Sequence, residues 1–267
     1  MKLKIYQIDA FTENIFGGNP AAVCPLEKWL PDEMLQKIAM ENNLAETAYY
    51  VKKEVTYEIR WFTPTVEVDL CGHATLATAY VLYNYQGHTG NEIQFMSPRS
   101  GKLTVTKNKE LLTLNFPSDT LEKINISENP IAIGLEKGFD QQPVEVFKGK
   151  TDYMFVFNDE KQIQSLTPNF QELSKWKVRG VIATAKGEKS DFVSRFFAPQ
   201  SGIDEDPVTG SAHTTLTPYW ADRLGKNELS AIQLSARKGH LTCKFLKDRV
   251  EISGQAKTYL IGEIHLQ

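Results

Sequence analysis

The hydrophobic and polar positions along the chain follow two periods, and each period predicts a different element. Residues 56–63, TYEIRWFT, alternate polar and apolar side chains, as a half-buried strand does. Residues 31–43, PDEMLQKIAMENN, begin with a proline and two acids and continue with apolar side chains at helical spacing. Residues 73–85 are apolar nearly all round, which indicates a buried helix, and residues 212–225 predict another helix that Pro218 should kink or shorten. Strands and helices alternate, which predicts an α/β (α+β) fold.

This pattern occurs twice. Residues 61–80 match residues 196–220, with Phe62 aligned to Phe197 at an offset of 135. Residues 97–107 match residues 235–245 at an offset of 138, and one three-residue insertion explains the difference. This alignment places the insertion at Pro207-Val208-Thr209, so that Asp206 corresponds to Cys71 and Gly210 to Gly72. Matches in one consistent register predict two copies of a single α/β unit.

A polar segment with two prolines, residues 116–130, separates the two copies. We therefore predict an N-terminal half of residues 1–118 and a C-terminal half of residues 119–267. We expect a C-terminal strand near residues 258–267 to complete the N-terminal half.

The composition excludes several classes of protein. Hydrophobic residues make up 41% and charged residues 24%, and the net charge is -3, so no concentrated basic patch for nucleic acid or a membrane surface is expected. No apolar stretch approaches the roughly 20 residues of a membrane span, and the start of the chain does not resemble a signal peptide. The three cysteines, Cys24, Cys71 and Cys243, are odd in number and far apart, which favours a reduced, cytoplasmic setting.

Both buried helices are predicted to begin at a glycine, Gly72 in the first copy and Gly210 in the second. Glycine lets the backbone approach a ligand closely, and the free N–H groups of a first helical turn bind anions. A tight strand–helix turn explains one such glycine equally well. If the copies pack about a pseudo-twofold axis, however, both helix starts would face one cleft and meet a small anionic ligand from two sides.

Four side chains near these turns could carry chemistry. Cys71 and His73 flank Gly72, where a helix start would lower the thiol pKa, although a small buried hydrophobe is the commoner fate of a free cysteine. Asp206 either caps the helix or is a positioned carboxylate held by a stiff loop. Glu46 interrupts an apolar strand, and burial there would raise its pKa toward the range of a general acid–base.

No cofactor or metal is predicted. The Cys71-X-His73 spacing is too tight for a usual zinc pair, no phosphate-binding glycine loop follows a strand, and no lysine has the context of a Schiff base. The glycine-rich residues 16–23, FGGNPAAV, are instead predicted to turn backbone amides or Asn19 toward a ligand.

Four ordered blocks of the sequence resemble the signature motifs of the PhzF-like family of phenazine-biosynthesis-type isomerases, which shares its fold with diaminopimelate epimerase. They are DAFTENIFGGNPAAV, NNLAETAYY, FTPTVEVDLCGHATLATAYVL and EDPVTGSAH. The resemblance implies two pseudo-symmetric halves, each a barrel-like mixed β-sheet around a central helix, with the active site between them. It implies no cofactor and is consistent with a homodimer.

The resemblance also implies roles for individual residues. Glu46 matches the proton-shuttling glutamate of the family, and His73, Asp206 and Ser211 match residues that line the substrate pocket and assist. Gly72 and Gly210 match backbone positions that bind the substrate carboxylate, and Asn19 and Cys71 lie where they would contact the substrate.

Three functions therefore stay open. The leading hypothesis is a cofactor-independent isomerase that moves a proton between carbons of a small carboxylate-bearing substrate. The second is a Cys71-dependent racemase, epimerase or acyl transferase. Related epimerases use two opposed cysteines, and Asp206 in the second position argues against a two-thiol mechanism. The third is a small-carboxylate binding protein without turnover.

Overall fold

The computed structural model describes residues 1–266, and the chain divides into two compact units. Unit 1 consists of Met1–Phe116 together with Ile252–Gln267, and unit 2 consists of Pro117–Glu251. The chain therefore leaves unit 1, builds unit 2 and then returns. Within the described residues, no helix has the length and apolar character that a membrane span requires.

The elements alternate along the chain, as the sequence pattern predicts. The strands are β1 (Lys2–Ala10), β2 (Asn19–Leu26), β3 (Glu46–Lys53), β4 (Thr56–Phe62), β5 (Glu67–Val68), β6 (Glu92–Ser97), β7 (Gly101–Asn108), β8 (Leu111–Pro117), β9 (Glu122–Ile124), β10 (Glu145–Lys148), β11 (Asp152–Val156), β12 (Gly180–Lys186), β13 (Phe192–Ala198), β14 (Ile203–Glu205), β15 (Glu228–Gln233), β16 (Gly239–Phe245), β17 (Arg249–Gly254) and β18 (Ala256–His265). The α-helices are α1 (Asp32–Asn42), α2 (Gly72–Tyr85), α3 (Pro130–Glu136), α4 (Glu160–Ser165), α5 (Phe170–Leu173) and α6 (Gly210–Leu224). Short 3₁₀ turns cover Ile126–Glu128 and Pro199–Ser201.

Unit 1 is a mixed sheet with one helix in its core. Strands β18, β1 and β2 pair antiparallel, β2 and β3 parallel, β3 and β4 antiparallel, β4 and β6 parallel, and β6, β7 and β8 antiparallel. Helix α2 lies against β1, β2, β3, β7 and β18. Its residues from His73 to Ala79 are all buried, because small and apolar side chains occur on every face. Helix α1 instead buries one stripe, Leu35, Ile38 and Ala39.

Unit 2 repeats this order of strands and helices. Strands β9, β10 and β11 pair antiparallel, β11 and β12 parallel, β12 and β13 antiparallel, β13 and β15 parallel, and β15 and β16 antiparallel. Helix α6 lies against β15 and β16. In the order of elements, α6 comes directly before these two strands, as α2 comes directly before β6 and β7. Both units are therefore mixed α/β structures in which a largely buried helix follows a pair of short antiparallel strands.

The expectation that Pro218 shortens α6 is wrong, since the helix continues from Gly210 to Leu224. Proline lacks the N–H that would normally bond the carbonyl four residues back, which here is that of Thr214. The backbone N–H of Asp119 donates to this carbonyl over 3.1 Å instead. A neighbouring segment thus satisfies the acceptor that the proline leaves open.

A repeated ion pair fixes the internal register of the two copies. In unit 1, the guanidinium of Arg60 donates to both carboxylate oxygens of Glu67. In unit 2, Arg195 holds Glu205 in the same bidentate way. The arginine precedes its glutamate by 7 residues in the first copy and by 10 in the second. The three extra residues of the second copy therefore lie between Arg195 and Glu205.

This register corrects the sequence alignment, which placed the insertion at Pro207-Val208-Thr209. The extra residues precede Glu205, in the segment that contains the 3₁₀ turn over Pro199–Ser201. Cys71 lies four residues after Glu67, and Thr209 lies four residues after Glu205, so Thr209 and not Asp206 corresponds to Cys71. Cys71 and Thr209 are the N-cap residues of α2 and α6, which agrees with this register.

Candidate active site

A carboxylate–imidazole pair lies in unit 1. Glu46 is the first residue of β3, and His73 is the second residue of α2. Glu46 Oε2 lies 3.1 Å from His73 Nε2, and the two side chains are only 12% and 5% exposed. Helix α2 packs against β3, which brings together two residues that are distant in sequence. A buried acid and a buried base in direct contact can hold and pass a proton.

Two further side chains approach the other nitrogen of the ring. Asn19, the fully buried first residue of β2, places its Nδ2 3.2 Å from His73 Nδ1. The Cys71 sulfur lies 3.4 Å from the same nitrogen. Because the amide Nδ2 can only donate, Nδ1 accepts, and a neutral ring then carries its proton on Nε2. That nitrogen lies 3.1 Å from Glu46 Oε2.

The charges of this cluster set which groups are ionised. Burial opposes protonation of His73, but Cys71 and the Glu46 carboxylate together hold its pKa well above the usual value. Burial, followed by the charge of Glu46, raises the pKa of the Cys71 thiol to about 11. The sequence-based expectation that the helix start lowers this pKa is therefore wrong. At neutral pH Cys71 is therefore a thiol.

The same cluster has the donor types of a transition-metal site. Ligand atoms of Glu46, Cys71 and His73 lie within 4.8 Å of one another. Carboxylate, thiolate and imidazole are all zinc ligands. The spacing of Cys71 and His73 did not indicate such a set, because the third donor comes from β3. A metal ion here would replace the direct Glu46–His73 contact.

In unit 2, the predicted acid lies next to a helix start. Asp206 follows β14, and the Thr209 hydroxyl donates to its Oδ2 over 2.6 Å. Gln233, at the end of β15, donates to the Asp206 carbonyl over 2.8 Å and accepts from the Thr209 N–H over 2.8 Å. Sequence analysis missed Gln233 and Thr209 as partners of this acid. Polar residues at the end of a predicted strand and at a helix N-cap were the available signals.

The predicted anion-binding turns are both helix starts. Gly72 begins α2 and Gly210 begins α6, as expected. Within the described residues, neither helix has a side-chain cap; Thr209 uses its hydroxyl for Asp206 instead. First-turn N–H groups without a side-chain cap are available to an anionic group.

Ser211 has a partner that the sequence did not reveal. The Ser211 hydroxyl accepts from Arg179 Nη1 over 2.9 Å. Arg179 in turn forms a bidentate ion pair with the buried carboxylate of Asp152. The structure therefore brings Asn19, Glu46, Cys71 and His73 together in unit 1. Asp206, Gly210 and Ser211 lie around the start of α6 in unit 2, beside Arg179.

Comparison with known proteins places this arrangement in a family. The sequence profile of the PhzC-PhzF family, described as phenazine biosynthesis-like proteins, matches residues 8–262. A Pseudomonas aeruginosa protein named as an uncharacterized isomerase is 50% identical over 266 residues, and the match covers 100% of both chains.

Solved structures show the same fold. A PhzF family phenazine biosynthesis protein from Enterococcus faecalis is 48% identical and covers 100% of both chains, with a TM-score of 0.94. A predicted epimerase from Pseudomonas aeruginosa is 17% identical, with a TM-score of 0.74 over 99% of this chain and 100% of that one. At that identity the second likeness concerns the fold alone.

Proposed function

The chain belongs to the PhzC-PhzF family of phenazine biosynthesis-like proteins, and on that premise we propose that it is an isomerase. Its substrate would be a small molecule with a carboxylate group, and the reaction would move a proton between two carbons without a cofactor. The relative named as an isomerase, 50% identical along the whole chain, supports the reaction class. The observation that carries the proposal is the 3.1 Å contact between Glu46 and His73.

Glu46 is the proton carrier in this proposal. Its carboxylate removes a proton from one carbon of the substrate and, once protonated, delivers a proton to a second carbon, so the reaction needs neither oxidant nor co-reactant. His73 Nε2 lies 3.1 Å from Oε2, and we assign Oε1 as the oxygen that meets the substrate. Asn19, 3.2 Å from Nδ1, holds the ring with Nε2 beside Glu46.

The remaining predicted residues would bind the carboxylate and assist. First-turn N–H groups beginning at Gly72 and Gly210 are suited to an anion. Ser211 offers a hydroxyl in the first turn of α6, and Asp206 offers a carboxylate that Thr209 and Gln233 hold in place. These assignments come from the family resemblance and the local geometry of each unit.

The test replaces Glu46 by Gln. Candidate amino acids and cyclic carboxylates are first screened for exchange of a carbon-bound proton with D₂O by NMR. With the substrate so found, Glu46→Gln should lower turnover by about 10²- to 10⁴-fold, since general acid–base catalysis contributes that much, while binding is spared. Glu41→Gln, an exposed glutamate of α1, is the matched control and should leave turnover unchanged.

Normal turnover in the Glu46→Gln variant would contradict the assignment of the proton carrier. If the wild-type protein binds carboxylates but exchanges no carbon-bound proton in any of them, the third hypothesis, a binding protein without turnover, replaces the isomerase.

A Cys71-dependent racemase, epimerase or acyl transferase is the second candidate. The 3.4 Å contact between the Cys71 sulfur and His73 Nδ1 favours it, because an imidazole beside a thiol can act as its base. Burial of the thiol, which raises its pKa, disfavours it.

A further inference from the structure

In each unit, a residue at or next to the start of a strand contacts a residue in the first turn of a helix, and the two contacts occupy corresponding positions in the repeat. In unit 1, Thr47 pairs with Phe62, and in unit 2, Val181 pairs with Phe197, the counterpart of Phe62. Gly180 therefore corresponds to Glu46, one residue earlier on the strand. By the corrected register, Ser211 corresponds to His73.

No side chain fits at the position that corresponds to Glu46. A Cβ atom on Gly180 would lie 2.1 Å from the ring of Phe196. Unit 2 cannot carry a second glutamate there without displacing this ring. The residue directly before it, Arg179, reaches the helix start instead, and its Nη1 lies 2.9 Å from the Ser211 hydroxyl. An arginine–serine pair thus stands where unit 1 has its glutamate–histidine pair.

The guanidinium of Arg179 is held on several sides. Its Nε lies 2.9 Å from Asp152 Oδ1 and 3.1 Å from Thr151 Oγ1, and its Nη2 donates to Asp152 Oδ2. Asp152 is 2% exposed, whereas the side chain of Arg179 is 39% exposed. The ring of Phe196 supports the guanidinium at 5.3 Å. A buried carboxylate therefore anchors a cation whose outer edge reaches solvent.

This anchoring determines what Ser211 can do. A guanidinium only donates, so the Ser211 oxygen accepts from Arg179 and its own O–H remains a donor for another group. Each terminal nitrogen of Arg179 also has a second N–H beyond those used for Ser211 and Asp152. Because Asp152 balances the charge of Arg179, recognition of a ligand at this site depends on the directed N–H and O–H donors of Arg179 and Ser211 more than on net charge.

We propose that Arg179 and Ser211 form a paired donor site for a carboxylate group of the substrate, with Asp152 as the residue that positions Arg179. Hydrogen bonds from charged donors to a carboxylate are roughly twice as strong as neutral ones, so the site selects a carboxylate over an amide of the same shape. This inference rests on the proposed function for the identity of the ligand as substrate, but binding can be measured without turnover.

The test uses succinate as the probe and its diamide, succinamide, as the neutral analogue, titrated against the full-length protein by NMR or calorimetry. Arg179→Gln and Ser211→Ala should each weaken succinate binding by about tenfold or more, as expected for a lost charged hydrogen bond. Succinamide binding should change little. Arg179→Lys should recover only part of the affinity, because lysine lacks the planar fork that reaches Asp152 and Ser211 together.

Two variants control for folding. Arg179→Gln leaves Asp152 buried without its partner, so the double variant Arg179→Gln/Asp152→Asn removes both charges and retains similar shapes. Ser211→Ala leaves the ion pair intact. Arg223→Gln, at the other end of α6 and paired with Glu145, should bind succinate as the wild type does.

The outcomes separate this inference from the proposed function. Equal loss of succinate and succinamide binding would indicate a structural role for Arg179 and overturn the inference, as would unchanged succinate binding in a folded Arg179→Gln or double variant. Absence of succinate binding in the wild type would overturn it as well. Binding that depends on Arg179, in a protein that exchanges no carbon-bound proton, would reject the isomerase and keep the carboxylate site.

Discussion

The imidazole of His73 is oriented through both of its nitrogens. Asn19 Nδ2 lies 3.2 Å from Nδ1, and Glu46 Oε2 lies 3.1 Å from Nε2. With the ring protonated, as its raised pKa favours, His73 and the Glu46 carboxylate form an ion pair, and transfer of the Nε2 proton to Glu46 would leave both groups neutral. The protonation state of one buried ring thus controls whether Glu46 is a base or an acid.

The raised pKa of His73 makes the stability of the protein depend on pH. A group that holds its proton more tightly when folded stabilises the native state fully below its unfolded pKa of about 6.5. This contribution is lost as the pH rises from there through the higher folded pKa. We expect the wild type to lose unfolding free energy relative to His73→Gln as the pH rises above about 6.5, in denaturant titrations carried up to pH 9, where the Cys71 thiol begins to ionise in the unfolded chain.

The exposed His240 supplies the control, since His240→Gln should follow the wild-type pH profile. Cys71 does not interfere in this window, because its own raised pKa affects stability only as the pH increases from about 9 toward 11. Parallel profiles for the wild type and His73→Gln would contradict the raised pKa.

Burial predicts an unreactive thiol at Cys71. Only the thiolate attacks alkylating reagents, and a pKa of about 11 leaves very little of it near neutral pH. We expect iodoacetamide to label Cys71 slowly at pH 7.5, and Cys71→Ser to keep turnover within about tenfold of the wild type. Cys24 and Cys243, both fully buried, serve as internal references when labelling is resolved by peptide mass spectrometry. Fast labelling of Cys71 with loss of turnover in Cys71→Ser would favour the thiol-dependent racemase or acyl transferase.

At the scale of elements, the hydrophobic periodicity predicted a helix or strand correctly wherever the pattern of buried positions depends on that element alone. Helix α2 is apolar on every face and lies in the core, and Tyr57, Ile59 and Trp61 of β4 are buried in alternation. The continuity of α6 could not be predicted in this way, because the group that satisfies its open carbonyl belongs to Asp119, far from Pro218 in sequence. Local patterns contain no information about such long-range partners.

The candidate site shows the same limit. Glu46, His73 and Asp206 were found by residue type and motif, whereas Arg179, Thr209 and Gln233 were not. The misplaced insertion is one reason. The spacing that the two copies share is interrupted in the second copy between Arg195 and Glu205. The alignment kept the earlier offset beyond this interruption, because Phe and Pro residues match just after Arg195. The two bidentate ion pairs reveal the register and, with it, the correspondence of Ser211 to His73.

At the scale of the molecule, unit 1 is discontinuous in sequence. Its first strand, β1, pairs along its whole length with β18, from Lys2 opposite His265 to Ala10 opposite Ala256. The first 116 residues therefore lack one side of their own first strand until the chain has passed through all of unit 2. Completion of unit 1 therefore needs β18, and pairing of β1 with β18 closes a loop of nearly the full chain length.

Deleting residues 256–267 tests this dependence. Strand β1 would lose a partner at every residue from Lys2 to Ala10, and α2 would lose part of its surroundings. We expect a fall in melting temperature of about 10 °C or more, or failure to fold, since about 1 kcal/mol corresponds to 2–4 °C in a protein of this size. Glu263→Ala removes an exposed ion pair of β18 with Lys2 and should melt close to the wild type. Addition of a synthetic peptide of residues 256–267 should restore part of the lost stability, because the missing strand would then pair with β1 again. A truncated chain that melts with the full-length protein would show that β1 does not need β18.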